Sequence, residues 1–256
     1  MTNKLIFLFF PYFFWISIES FSQSLEDTLH YQLDLNLSGR RISGEFSQAV
    51  IRGGFDLDLT YKNWHLENSM TYRYNKANTT LIEDNWNGLV TLHYYPGGSK
   101  KLYPGLFSYF DNSLIYRIKS RHNFGAGFGS EFDKGLLNLS LMGMIANGNS
   151  SYDGSEFVNS NRDFSTRKNG FMLFILENRY RISKELINFS YRIFYFQSLK
   201  EKADYIIKLN PQLNFKLLQG FSFYMIYEYR FENVHLENLS SKNDILLFGF
   251  NLKLKR

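Results

Sequence analysis

The stretch "GFSFYMIYEYRFEN", residues 220–233, interleaves two different sequences. Its odd positions are Phe221, Phe223, Met225, Tyr227, Tyr229 and Phe231. Its even positions are Ser222, Tyr224, Ile226, Glu228, Arg230 and Glu232. A chemical period of two marks a β-strand whose faces meet different surroundings. Either the aromatic face lies in a protein core with the charges in water, or it lies in lipid with the charges inside a barrel. That choice decides the fold.

The same alternation recurs along the chain. After a first segment with Leu29, Tyr31, Leu33, Leu35 and Leu37 on one face, it runs through 46–61, 64–75, 84–95, 103–118, 121–132, 136–148, 167–181, 186–199, 203–218, 221–232 and 243–254. These segments predict twelve strands of about 10–16 residues, against the usual 5–6 of soluble proteins. Tight turns are expected at "KN" (62–63), "DKG" (133–135), "SKE" (183–185) and "QG" (219–220). Longer polar loops are expected over 75–84, 148–167 and 232–241. Short turns at one end and longer loops at the other fit a barrel that crosses an outer membrane. Two interruptions stand out. Pro211 lacks the N–H a central strand donates, which predicts a bulge or break, and "RGG" (52–54) suggests a second bulge.

Aromatic placement favours lipid on the outside. In "WHLENSMTYRY" (64–74) the outward set begins at Trp64 and ends at Tyr72 and Tyr74, and the next segment reverses the plan from Trp86 to Tyr94. Ten steps of ~3.3 Å, tilted by ~40°, span about 25 Å of height, the expected apolar band between aromatic girdles. With Tyr227 and Tyr229, these rings form the expected membrane-interface set. A soluble β-sandwich would need a partner layer for each of twelve aromatic faces, whereas a closed barrel pairs every strand edge. The expectation is therefore all-β: a closed antiparallel transmembrane β-barrel of about 12 strands.

The N-terminus points to export. Lys4 precedes "LIFLFFPYFFWISI" (5–18) and then "ESFSQS", the cationic start, short apolar run and small-x-small site of a secretory signal peptide. Residues 1–23 are read as that peptide and 24–256 as the barrel in the outer membrane. Cysteine is absent, which removes disulfide frameworks and thiolate metal sites. The net charge of +5 is spread along the chain rather than gathered on one face, so no nucleic-acid partner is expected.

The inward faces carry both signs. The candidate lumen lining is Asp56, Glu67, Arg73, Arg117, Glu131, Glu177, Arg179, Arg192, Glu228 and Arg230, with Asp58, Asp111, Arg181 and Lys208 on the same faces. Such a mixture suits paired charges bracing a solvated wall, or a lining that orients a charged or zwitterionic solute. No histidine stands two or four residues from another, so no local metal pair arises. No Gly-x-Ser-x-Gly elbow is present, and no catalytic, cofactor or metal site is expected. The inward glycines of "GAGFG", at 125, 127 and 129, are read as room for bulky neighbours or as sites of wall curvature. Basic residues near loop ends (Arg40, Arg41, Lys119, Arg121, Arg167, Lys168, Lys200, Lys202) are placed to meet lipopolysaccharide phosphates.

The segments "LNLSGRRISGEFS" (35–47), "WHLENSMTYRY" (64–74) and "RHNFGAGFG" (121–129) resemble the barrel proteins catalogued as domain of unknown function 481, described as salt-induced outer-membrane proteins. The likeness covers about residues 30–135; the first hairpin departs from it, since "RRISGEFS" lacks the family's Gly-Asn pair. The resemblance implies an outer-membrane barrel and brings no catalytic residues. Residues and resemblance together suggest a non-enzymatic envelope protein or narrow pore for small solutes. Its partners would be outer-membrane lipids, lipopolysaccharide and the barrel-assembly machinery. The competing readings are an outer-membrane lipid-modifying enzyme and a soluble periplasmic β-barrel that binds an apolar ligand.

Overall fold

In the computed structural model the chain is described over residues 29–43, 47–154, 156–160, 165–183 and 186–255. The segment read as a signal peptide and the end of the "SKE" turn lie outside the described residues. Fourteen strands follow in order: β1 (Leu29–Ile42), β2 (Gln48–Tyr61), β3 (Trp64–Ala77), β4 (Thr80–Tyr94), β5 (Tyr103–Ser113), β6 (Ile118–Lys134), β7 (Leu137–Tyr152), β8 (Phe157–Val158), β9 (Thr166–Ser183), β10 (Ile187–Ser198), β11 (Tyr205–Leu218), β12 (Phe221–Glu232), β13 (His235–Leu236) and β14 (Lys242–Lys255). Twelve close into one barrel, each antiparallel to its neighbours, with β1 sealed against β14. The remaining pair, β8 and β13, forms a two-stranded ribbon in the loops.

Closure answers the question posed by residues 220–233. The odd residues of β12 point outward beside the outward stripe of β14, where Leu246, Phe248, Phe250, Leu252 and Leu254 are exposed. Tyr224 and Ile226 point inward and are buried, with Glu228, Arg230 and Glu232 on the same face. Large apolar side chains stand exposed all round the outer wall, among them Leu37, Phe124, Phe128, Ile145 and Phe174. An outer surface of this kind is stable only in lipid, where a closed ladder leaves no unpaired edge.

Several strands run past the segments that the alternation marks, while β2, β5, β10 and β11 are shorter. Residues 75–84 form no loop: β3 runs to Ala77, β4 begins at Thr80, and Asn78 turns the chain at φ 50°. Likewise β7 and β9 extend into the polar stretch 148–167. Strand tips beyond the apolar belt meet water on both faces, so pairing continues there while the two-residue period fades. At the opposite end the turns are tight, with Gly135 and Gly220 at positive φ. By the rule of short periplasmic turns and longer outer loops, the end bearing 62–63, 95–102, 135–136 and 219–220 is periplasmic.

Neither predicted bulge forms. Gly53 and Gly54 pair in unbroken register with both neighbours. A Cβ on Gly54 would stand 2.6 Å from the Met70 carbonyl oxygen, so close backbone approach explains that glycine. Pro211 lies within a continuous β11, opposite Tyr191 of β10. Toward β12 the pairing lapses at Asn210 and Pro211 and resumes at Gln212 in the same register; the register shift lies at Lys216/Leu218 instead. The missing N–H costs local pairing without displacing the strand.

Candidate functional site

The interior holds an apolar cluster and a polar-walled cavity. Inward residues of β5, β7, β9, β10 and β11 pack into an apolar cluster that includes Tyr103, Phe107, Met142, Met144, Leu173, Ile175 and Phe196. β6, paired between β5 and β7, contributes glycines. A Cβ on Gly125 would stand 2.4 Å from the Phe107 ring, and one on Gly129 would stand 2.5 Å from the Tyr103 ring. The expected role of these glycines, room for bulky neighbours, is what the packing requires.

Beside the cluster lies a cavity of about 1570 Å³, bordered by residues of every barrel strand. Nine of the ten expected lining residues border it: Asp56, Glu67, Arg73, Glu131, Glu177, Arg179, Arg192, Glu228 and Arg230. Arg117 does not. The chain leaves β5 at Ser113, and Arg117, itself exposed, closes the turn 114–117 at φ 50°, its N–H donating to the Leu114 carbonyl at 3.1 Å. The cavity reaches Gly135, Gly220 and Lys255 at the periplasmic end and rises to Ser113 and Tyr116 near the other.

Its walls hold charge in pairs. Glu228 of β12 meets Arg52 at 2.8 Å and also pairs with Arg73, which reaches Glu83 at 3.3 Å. Glu83, buried, accepts from Asn75 at 3.0 Å and Asn85 at 3.2 Å. This chain of contacts ties β2, β3 and β4 to β12 across the β1–β14 seam. Lower down, Arg192 pairs with Glu177, and Glu131 receives Lys100 at 2.8 Å and the Tyr95 hydroxyl at 2.6 Å.

Toward the outer end the lumen is crossed by a buried ionic network. Arg121 of β6 grips Glu232 of β12 through two bonds of 2.9 and 3.0 Å. Arg230 pairs with Glu232 and reaches Asp111 of β5 at 3.0 Å. Lys208 of β11 lies 3.6 Å from Asp111 and donates to the Tyr109 hydroxyl. The side chains of Arg121, Glu232 and Asp111 are 3%, 3% and 1% exposed, while Arg230 and Lys208 border the cavity. Above them sits an apolar cap of Tyr116, Ile118, Tyr152 and Leu236, with Phe157 of β8 and Leu239 packed against it. Tyr116 donates to the Arg230 carbonyl at 3.3 Å, and burial raises its hydroxyl above the ordinary tyrosine range.

The network corrects the reading of Arg121 and Arg167 as lipopolysaccharide contacts. Both are buried inside, and Arg167 pairs with Asp204. Their parity carried the signal: Arg121 shares the inward face of Gly125, Gly127, Gly129 and Glu131. Arg41, Lys119, Lys168, Lys200 and Lys202 are exposed at that end.

Outside, the aromatic residues of β3 and β4 pair across the strands. Trp64 and Tyr94 pack with ring centres 4.9 Å apart, tilted at 48°, beside the periplasmic turn. Tyr72 and Trp86 pack at 4.4 Å, tilted at 34°, further up, with the Tyr72 hydroxyl donating to Asp84 at 2.7 Å. Tyr74 lies opposite Asp84, Tyr229 opposite Asp244, and Tyr227 opposite Leu246. Rings between an apolar body and a polar tip suit the membrane interface.

The barrel resembles solved outer-membrane proteins. It superimposes on the NanC porin with a TM-score of 0.50 at 11% identity, covering 87% of this chain and 100% of that one. The β-domain of the Bordetella autotransporter Brka aligns with a TM-score of 0.39 at 14% identity, over 89% of this chain and 99% of that one. The translocator domain of autotransporter NalP from Neisseria meningitidis gives 0.43 at 9% identity, over 91% and 92%. At these identities the likeness speaks for the fold alone, and it rests on the first of them. No curated protein matches the chain in sequence. A closed barrel with a lipid-facing exterior is an integral protein of the outer membrane. The family described as "Protein of unknown function, DUF481" matches residues 35–253, and the chain belongs to it.

Proposed function

We propose that this protein is a non-enzymatic envelope barrel that passes small charged or zwitterionic solutes through a narrow route. The observation that carries this reading is the two-signed cavity that ends against the network of Arg121, Glu232, Asp111, Arg230 and Lys208. A wide aqueous pore needs no such crossing, and an inert plug needs no solvated vestibule. Paired charges beside a constriction select by the arrangement of fields rather than by net sign. Residues 1–23 serve as the export signal in this reading. The outer wall contacts lipid, the exposed cations at the outer end meet lipopolysaccharide phosphates, and the barrel-assembly machinery inserts the chain.

The test is conductance across a planar lipid bilayer with the refolded chain beside an Arg230→Ala variant. Small, ion-selective steps are expected from the wild type, with larger steps and altered selectivity once Arg230 is shortened. Silence from both proteins, each shown to be folded, would overturn the passage and leave a structural barrel.

A further inference from the structure

Just inside the periplasmic mouth, three adjacent strands bring together residues that no single strand reveals. Asp58 of β2 lies opposite Glu67 of β3, and Glu67 lies opposite Thr91 of β4. One row nearer the rim, Thr60 lies opposite His65, and His65 opposite His93. Asp58, His65 and Glu67 each offer a donor atom, and these three atoms lie within 4.8 Å of one another. The rings of His65 and His93 stand 5.9 Å apart. All four side chains border the cavity.

One observation says that the cluster lacks a component, and a second shows a histidine held in position to ligate. His93 is 2% exposed, yet neither of its ring nitrogens has a hydrogen-bond partner among the described residues. A buried imidazole without partners carries an uncompensated desolvation penalty. His65 is held from behind, its Nδ1 2.9 Å from the Thr60 hydroxyl oxygen, while its Nε2 faces Glu67 Oε1 at 3.1 Å. With the Thr60 hydroxyl donating to Nδ1, Nε2–H donates to Glu67; with Nδ1–H donating to Thr60, Nε2 and Glu67 Oε1 together offer two lone pairs to a cation. A cation there also serves Asp58 and one ring nitrogen of His93. An oxygen partner behind the ligating imidazole is the usual support of a metal-bound histidine.

We propose that Asp58, His65, Glu67 and His93 form a site for a divalent first-row cation of the Zn²⁺ type. Two imidazoles and two carboxylates suit such an ion, with bonds of about 2.0–2.2 Å. Binding draws the donor atoms together to about 3.4 Å, the edge of a tetrahedron with those bonds. Gly105 leaves room for the buried ring: a Cβ there would lie 3.2 Å from His93 Cδ2. The cation enters from the periplasmic opening, and once bound it neutralises the Asp58–Glu67 corner. The site stands whether or not the barrel conducts, since it needs only a wet rim.

The experiment uses the untagged full chain, refolded in detergent, stripped with chelator and titrated with Zn²⁺ alone by calorimetry. One ion per chain is expected. His65→Gln and His93→Gln should each weaken binding by more than the roughly tenfold expected of Thr60→Val, which removes only a supporting partner. His235→Gln, in the outer loops, should bind as the wild type does. Gel mobility of the folded barrel checks each variant. Should one fail to fold, the visible spectrum of the wild type with Co²⁺ decides, because intense bands report a four-coordinate site. Absence of saturable Zn²⁺ binding, undiminished binding in either histidine variant, or only the weak octahedral Co²⁺ spectrum would overturn the site.

Discussion

The sharpest test of the interior is a double-mutant cycle on Arg121 and Glu232. The cluster holds three cations, Arg121, Arg230 and Lys208, around two carboxylates, Asp111 and Glu232. Removing Arg121 leaves two of each sign, and Arg230 still holds both carboxylates. Removing Glu232 leaves three cations around Asp111 alone and strips a partner from both Arg121 and Arg230. Breaking a buried pair costs about 3–5 kcal/mol because the survivor stays desolvated. Arg121→Met should therefore fall near 3 kcal/mol and Glu232→Leu near 5 kcal/mol. The double variant removes the orphaned partner as well and should cost only about 4–5 kcal/mol, a coupling of roughly 3–4 kcal/mol. Urea unfolding from phospholipid vesicles, followed by tryptophan emission, measures all four corners. Single losses below about 1 kcal/mol, the range of exposed pairs, would refute the reasoning. So would additivity within about 0.5 kcal/mol, or a larger loss from Arg121 than from Glu232.

Two further perturbations separate the wall's faces. A Cβ on Gly127 would meet the Gly143 carbonyl oxygen at 2.0 Å, and backbone cannot rotate away, whereas a Cβ on Gly53 meets nothing within 4 Å. Gly127→Ala should cost about 1–3 kcal/mol while Gly53→Ala is neutral, as read in the same urea titration. Phe128 is 62% exposed on the outer wall, six residues from the periplasmic end of β6, or about 15 Å up a tilted strand. That height is mid-membrane, so Phe128→Arg should destabilise the inserted barrel by about 2–4 kcal/mol; no loss in vesicles would place that face away from lipid.

How much of this was legible in sequence depends on which residues carry the information. Period two is a local property, so the twelve strands and their outward stripes follow from it. Arg117 was misplaced because a turn that starts at Leu114 preserves the parity of the strand before it. Gly53–Gly54 was overread, and at Pro211 the expected break is confined to the pairing with β12. Register in a closed barrel is held by both neighbours at once, so one missing N–H or two small residues do not displace it. Residues 75–84 were read as loop because strand tips bathed in water lose their alternation while keeping their bonds.

The sequence alone determined that the chain is a lipid-facing barrel of twelve strands, because alternation and strand length depend on neighbours two residues away. Only the tertiary structure decided what fills it. Arg121 and Glu232 stand 111 residues apart, and Asp58, His65, Glu67 and His93 lie on three different strands. Which inward side chains meet depends on the stagger between strands and on what faces them across the lumen. No local pattern encodes either quantity, since both are fixed when β1 closes on β14.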